Sequence, residues 1–111
     1  MLDLKNKVAF ISGAGTVGPG WGNGKATAVL FARQGARVFG TDINLEAAEE
    51  TRAIIEKEGG ACAVRRCDMT ASDDVKAAVD ACLERFGRID ILVNNVGGSA
   101  PGGPVDMTEH G

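Results

Sequence analysis

Residues 8–28, V-A-F-I-S-G-A-G-T-V-G-P-G-W-G-N-G-K-A-T-A, constrain this chain more than any other stretch. Val8, Ala9, Phe10 and Ile11 form an unbroken apolar run, the pattern of a strand buried on both faces and not of one that alternates between core and water. The run breaks into a loop crowded with glycine, and the loop leads into residues suited to the first turn of a helix. A strand that passes through glycines into a helix gathers free backbone N–H groups and the positive end of a helix dipole at one point. That arrangement suits a phosphate group.

Two glycine registers compete in the loop. Gly13, Gly15 and Gly18 fit G-x-G-x-x-G, a spacing that a chain with 16 glycines produces easily. In the second register the motif closes at Gly22 and Gly24. A helix starting near Pro19 would carry Gly20, Gly22 and Gly24 in its first turns, each costing roughly 1 kcal/mol relative to Ala. The second register is therefore preferred, with the helix starting between Asn23 and Lys25.

The rest of the chain alternates in the same manner. The spacing predicts strands over 7–12, 36–41, 61–67 and 89–93 and helices over 25–34, from the Asn44 cap to Gly59-Gly60, and over 72–86. The second helix is expected to turn Leu45, Ala48 and Ile55 inward. In the third, Val75, Ala78, Val79, Cys82 and Phe86 form a helical stripe. Such alternation means right-handed βαβ units: an α/β fold of Rossmann type, with helices on both faces of a parallel sheet in the order 3-2-1-4. About four strands are expected.

Composition narrows the function classes. A formal net charge of -3, with Lys and Arg spread through the helices, offers no basic stripe for nucleic acid. The start, Met1-Leu2-Asp3-Leu4-Lys5-Asn6-Lys7, has no apolar core of a signal peptide, and no apolar run reaches membrane-spanning length, so a cytoplasmic location is expected. Cys62, Cys67 and Cys82 lack C-x-x-C spacing and read as small buried apolar residues, with no metal site indicated. His110 has no Ser or Asp motif to support it as a base and reads as a solvated side chain.

Ser12-Gly13, then Gly22-Asn23-Gly24 followed by Lys-Ala-Thr-Ala, resembles the T-G-x-x-x-G-x-G motif of the short-chain dehydrogenases/reductases, with Ser for Thr and the insertion Val17-Gly18-Pro19-Gly20-Trp21. Asp42, Asp68-Met69 and Asn94-Asn95-Val96-Gly97 follow in the family's order, so the resemblance covers nearly the whole chain. It implies an NAD(P)-dependent oxidoreductase passing a hydride between nicotinamide and a carbonyl or secondary alcohol, with a homo-oligomeric parent protein, of which residues 1–111 would be the N-terminal part of the nucleotide-binding Rossmann domain, with an incomplete sheet. Carried over residue by residue, the cofactor site is Gly13, Gly15, Thr16, Gly22, Asn23, Gly24, Asp42, Ile43, Asp68, Met69, Asn94, Val96 and Gly97.

Asp42, just past the second strand, can accept hydrogen bonds from the ribose 2′- and 3′-hydroxyls and would repel a 2′-phosphate, which favours NAD over NADP. Lys25 and Arg37 are the nearby cations that could receive a 2′-phosphate, but neither offsets an acid at the 2′-hydroxyl itself. Asp is also common in strand-end turns and near helix starts, the plainer readings of Asp42 and Asp68. In the family, Asp68 and the next backbone N–H would read adenine, and the first Asn of N-N-A-G ties strands together. Val96 replaces the Ala of that motif, and the added methyls either displace the ribose or are absorbed by the longer loop. Trp21 either lids the pyrophosphate, packs against further chain or pins its own loop.

The family's catalytic Tyr-x-x-x-Lys has no counterpart, since the chain contains no Tyr. No catalytic residue is assigned, and the chain alone is expected to be inactive. Residues 89–93, apolar on both faces with no guarding Pro or Lys, suit the middle of a sheet. As an edge they would invite strand addition, making the isolated chain marginal or self-associating. Two other classes stay open: a non-catalytic nucleotide-binding module, and the enoyl-reductase branch of the superfamily, which also lengthens the glycine loop but lacks the acid after strand two and the N-N-x-G motif.

Overall fold

A computed structural model of the chain describes residues 4–15 and 23–94. Along the described residues run β1 (Val8–Ser12), α1 (Asn23–Arg33), β2 (Arg37–Asp42), α2 (Leu45–Lys57), β3 (Cys62–Arg66), α3 (Ser72–Phe86) and β4 (Ile91–Asn94). The strands pair in parallel, in the order β3-β2-β1-β4, which is the class and order expected from the sequence. The start of α1 at Asn23 agrees with the glycine cost that kept the helix out of the loop.

Successive strand residues point to opposite faces, and each face of β1 meets different helices. Ala9 and Ile11 pack with Ala28 and Val29 of α1 and Ile55 of α2, whereas Val8 and Phe10 pack with Phe39 of β2 and with Ala78 and Cys82 of α3. All five β1 residues are buried, which is why this strand reads as one apolar run. The Phe10 and Phe39 rings stack with centroids 5.6 Å apart. Truncating so enclosed a Phe costs about 3–5 kcal/mol, which outweighs exposed ion pairs such as Arg33–Glu58, since solvent screens those.

Two expectations require correction. Leu45 is 39% exposed, and the buried line of α2 runs instead through Ala47, Ala48, Thr51 and Ile55. These residues recur at intervals of three and four, which leaves Leu45 on the flank of the buried face. β4 begins at Ile91 and not at residue 89, because Asp90 spends its side chain on the neighbouring strand. Asn44 caps α2 as expected, its side-chain oxygen accepting the Ala47 N–H at 3.1 Å.

The three cysteines are free and buried. Burial pushes the Cys62 thiol up to about 12 and the Cys82 thiol to about 11, so both stay protonated fillers of the core at neutral pH. Among the described residues no helix is long and apolar enough to cross a membrane.

Asp90 joins the amino ends of β1 and β4. Its N–H donates to the Val8 carbonyl, and its Oδ2 accepts the Val8 N–H, each at 2.9 Å. The Arg88 guanidinium reaches Oδ1 at 2.7 Å. Arg88 first, and then the Val8 N–H, hold the Asp90 carboxyl below the usual carboxylate range. Because the folded value is lower than the unfolded one, the resulting stability is present above the ordinary Asp value of about 3.9 and is lost as pH falls through the folded value. Asp90→Ala should therefore melt at a lower temperature than wild type at pH 7, with the gap narrowing as the pH is lowered past that range. Thermal melts of both proteins across pH check this, and equal melting temperatures at pH 7 would contradict it.

Candidate functional site

Parallel pairing brings the carboxyl ends of all four strands to one edge. The register sets Ser12 beside Thr41 and Asn94, and Asp42 beside Arg66. Gly35, just after α1, lies against Lys5 at the opposite edge, so the N-terminus of α1 faces the carboxyl edge. Gly13, Asp42, Asp68 and the backbone of Asn23 and Asn94 therefore belong to one region of the sheet, the crevice side where open α/β sheets bind ligands.

The turn after β1 is held from several directions. Gly13 takes φ 66°, in the left-handed region that a side chain adopts only at a cost of about 1–2 kcal/mol. The next N–H, of Ala14, donates to the Thr41 carbonyl of β2 at 2.9 Å. Ala14 lies over Gly40, where a Cβ would come within 2.8 Å of the Ala14 methyl. The Gly15 N–H donates to Asp42 Oδ2 at 2.9 Å. A Cβ on Gly15 would stand 2.5 Å from the Ala47 Cβ and 2.9 Å from the Ala48 nitrogen, so the loop rests directly on the first turn of α2.

Asp42 is the joint of this arrangement. One carboxylate oxygen takes the Gly15 N–H, and the other takes the Asn44 N–H at 2.9 Å. The residue is 9% exposed, so the acid expected to meet a ribose first serves to bind the glycine turn to the start of α2. Each oxygen keeps a further lone pair for a ligand hydroxyl. Ile43 follows with its side chain 57% exposed, an apolar surface at the mouth of the site.

Asp68 lies at the approach to α3, as the plainer reading held. Its Oδ1 accepts the Thr70 hydroxyl at 2.6 Å and the Thr70 N–H at 2.9 Å, and these bonds keep its carboxyl low. Oδ2 takes no hydrogen bond among the described residues. The Met69 N–H likewise meets no acceptor there, while its sulfur packs against Cys67 and the Thr41 hydroxyl.

Of the two cations considered from the sequence, Arg37 falls elsewhere. Arg37 opens β2 opposite Val8 at the amino edge, roughly 16 Å of strand away from Asp42. Lys25 is buried in the first turn of α1, the end that faces the carboxyl edge. Arg66, set beside Asp42 by the register, is a further cation at this edge.

Thr16, Gly22, Val96 and Gly97 lie outside the described residues, as do Val17 to Trp21, Asn95 and His110; Gly24 is buried at the start of α1, and Asn23 and Asn94 are placed by backbone alone. Thr51 was missed by the sequence reading. Its hydroxyl donates to the Ala14 carbonyl at 2.8 Å. The available signal was a polar, β-branched residue inside a helix, on the same buried line as Ala48 and Ile55.

Residues 18–111 match a family model described as enoyl-(acyl carrier protein) reductase. The 7alpha-hydroxysteroid dehydrogenase of Escherichia coli K12 is 42% identical over 106 residues, covering 96% of this chain and 39% of that protein. A crystal structure from Burkholderia xenovorans, described as a short-chain dehydrogenase/reductase, aligns with TM-score 0.82 and 48% identity over 91% of this chain and 40% of the other. A structure of 7alpha-hydroxysteroid dehydrogenase complexed with NADH and 7-oxo glycochenodeoxycholic acid aligns with TM-score 0.81 and 41% identity over 92% of this chain and 37% of the other. The chain thus spans about two fifths of the length of the proteins it matches.

The contact between Gly15 and α2 yields a prediction about stability. Gly15→Ala should destabilise the protein by roughly 1–3 kcal/mol, the cost of overpacking a site that cannot yield. Adding Ala47→Gly removes the methyl it strikes and should recover part of that loss, even though Gly in a helix costs about 1 kcal/mol by itself. Denaturant melts of the single and double variants measure the coupling. Strictly additive effects would mean that the loop does not rest on Ala47.

Proposed function

The chain belongs to the short-chain dehydrogenase/reductase family, and from that premise we propose that it binds the adenosine and pyrophosphate portion of a nicotinamide dinucleotide, NAD in preference to NADP. The parent reaction on this reading is hydride transfer with a carbonyl or secondary alcohol. The observation that carries the proposal is Asp42, whose carboxylate is fixed beside the glycine turn by the Gly15 and Asn44 N–H groups. A preset acid has little entropy left to lose when it accepts ribose hydroxyls.

The other residues fit that group. The turn at Gly13 and Gly15 brings backbone without side chains to the carboxyl edge, where a pyrophosphate can approach closely. Ile43 offers an apolar face for adenine, and Asp68 Oδ2 with the Met69 N–H provides an acceptor and a donor for its ring edge. Thr16, Gly22, Asn23, Gly24, Asn94, Val96 and Gly97 complete the proposed set from the family's motifs. When bound, the dinucleotide supplies or accepts the hydride at its nicotinamide. No residue of this chain is assigned a catalytic role, and the chain alone is proposed to be inactive on alcohols and ketones. Homo-oligomeric assembly of the parent protein is carried from the family resemblance.

The description of the matched family model favours a second reading, an enoyl-type reductase. Against it stand Asp42 and Asn94-Asn95-Val96-Gly97, which fit the dehydrogenase branch.

Calorimetric titration of NAD and NADP against wild type and Asp42→Ala tests the cofactor preference. Wild type should bind NAD at least about tenfold more tightly, a difference of roughly 1.4 kcal/mol. In Asp42→Ala both affinities should fall, because the Gly15 N–H loses its acceptor, yet the ratio between them should shrink as the repulsion of the 2′-phosphate disappears. Equal wild-type affinities would overturn the preference.

A further inference from the structure

Thr51 stands in the middle of α2, fully buried, on a line otherwise made of Ala47, Ala48 and Ile55. Thr is a poorer helix former than Ala, and a buried hydroxyl is costly unless it is hydrogen-bonded. A helical Thr ordinarily satisfies its hydroxyl on the carbonyl four residues back. Here that carbonyl, of Ala47, is 3.4 Å away, whereas the Ala14 carbonyl is at 2.8 Å. The shorter bond leaves the helix altogether and crosses to the turn after β1. Among the described residues no other donor reaches the Ala14 carbonyl, and Ala14 itself is buried.

The Ala14 carbonyl and the Gly15 N–H are two ends of one planar peptide group. Thr51 holds the carbonyl end and Asp42 Oδ2 holds the N–H end, at 2.8 Å and 2.9 Å. The Ala14 N–H is fixed separately by the Thr41 carbonyl. With both ends gripped, this peptide cannot flip or tilt, and the direction in which the glycine loop leaves β1 is set from α2.

We propose that Thr51 is a positioning residue for the dinucleotide, acting through the Ala14–Gly15 peptide to orient the Gly13–Gly15 turn toward the pyrophosphate; this rests on the dinucleotide reading of the site. Asp42 then has a counterpart on the other side of the same peptide, and a side chain that never touches the ligand contributes to its affinity.

The test compares Thr51→Val, which keeps the shape and removes the hydroxyl, with Thr51→Ser, which keeps the hydroxyl. ADP affinity is measured by calorimetry, and amide hydrogen exchange without ligand is measured at Gly15 and along 8–11. Thr51→Val should lose roughly five- to tenfold in ADP affinity, the equivalent of one hydrogen bond, and should exchange the Gly15 amide faster while the 8–11 amides keep their protection. Thr51→Ser should restore both. Unchanged ADP affinity with unchanged Gly15 exchange in Thr51→Val would overturn the proposal. So would exchange accelerated equally along 8–11, or loss of the cooperative fold, either of which would make Thr51 a core residue only. Thr51→Ser behaving like Thr51→Val would assign the effect to packing. If wild type fails to bind ADP while Gly15 exchange responds as described, the dinucleotide reading falls and the peptide clamp stands.

Discussion

The site depends on one close contact: the Cα of Gly15 lying on the first turn of α2, where any Cβ would overlap Ala47. From that contact follow the hydrogen bond from the Gly15 N–H to Asp42, the bond from Thr51 to Ala14, and the seat of Ala14 over Gly40. A glycine turn is usually considered by its approach to a phosphate, but at Gly15 the side turned to α2 is closely constrained as well. Small residues are needed on both sides of the contact, and Ala47 and Ala48 provide them on the helix. A larger side chain at residue 47 would push the loop off its support and move Asp42 along with it.

The sheet supplies the frame for this contact. β1 lies between β2 and β4 and is buried on both faces, so its carboxyl end is fixed in position before the glycines begin. Asp42 ends β2 one position beyond the pair Ser12 and Thr41, which puts its carboxylate level with the turn. At the other end of the same strands, Asp90 and Val8 close the β1–β4 pair. The two aspartates sit at opposite edges and serve different ends, one the strand pairing and one the ligand side.

Much of this was legible in the sequence because the signals were periodic or compositional. The stripe from Val75 to Phe86 matches α3 as observed, and the apolar run at Val8 marks the central strand. The glycine penalty placed the start of α1. What escaped were effects in which side chains replace backbone or reach across the chain. Asp90 looked like part of a strand, but its carboxylate accepts the N–H of Val8, 82 residues away. Leu45 looked like core because it is apolar, yet Ala47 and Thr51 set the buried face of α2. Thr51 was missed because, although its spacing from Ala48 and Ile55 puts it on the buried line, nothing in that spacing names the partner of its hydroxyl, which lies 37 residues earlier. Asp42 was read as a ligand residue from its place after β2, and its bonds to Gly15 and Asn44 add a structural duty that spacing does not encode.

On the dinucleotide reading, the cofactor meets this chain at the turn gripped by Asp42 and α2. The most direct measurement is a titration of NAD followed by backbone amide chemical shifts. Binding at that turn should give saturable shifts concentrated at Gly13, Ala14, Gly15, Asp42, Ile43, Asp68 and Met69, with little change along the amino edge at Lys7, Arg37 and Asp90. Saturable shifts centred on that amino edge, or none at Gly13 to Gly15, would contradict it.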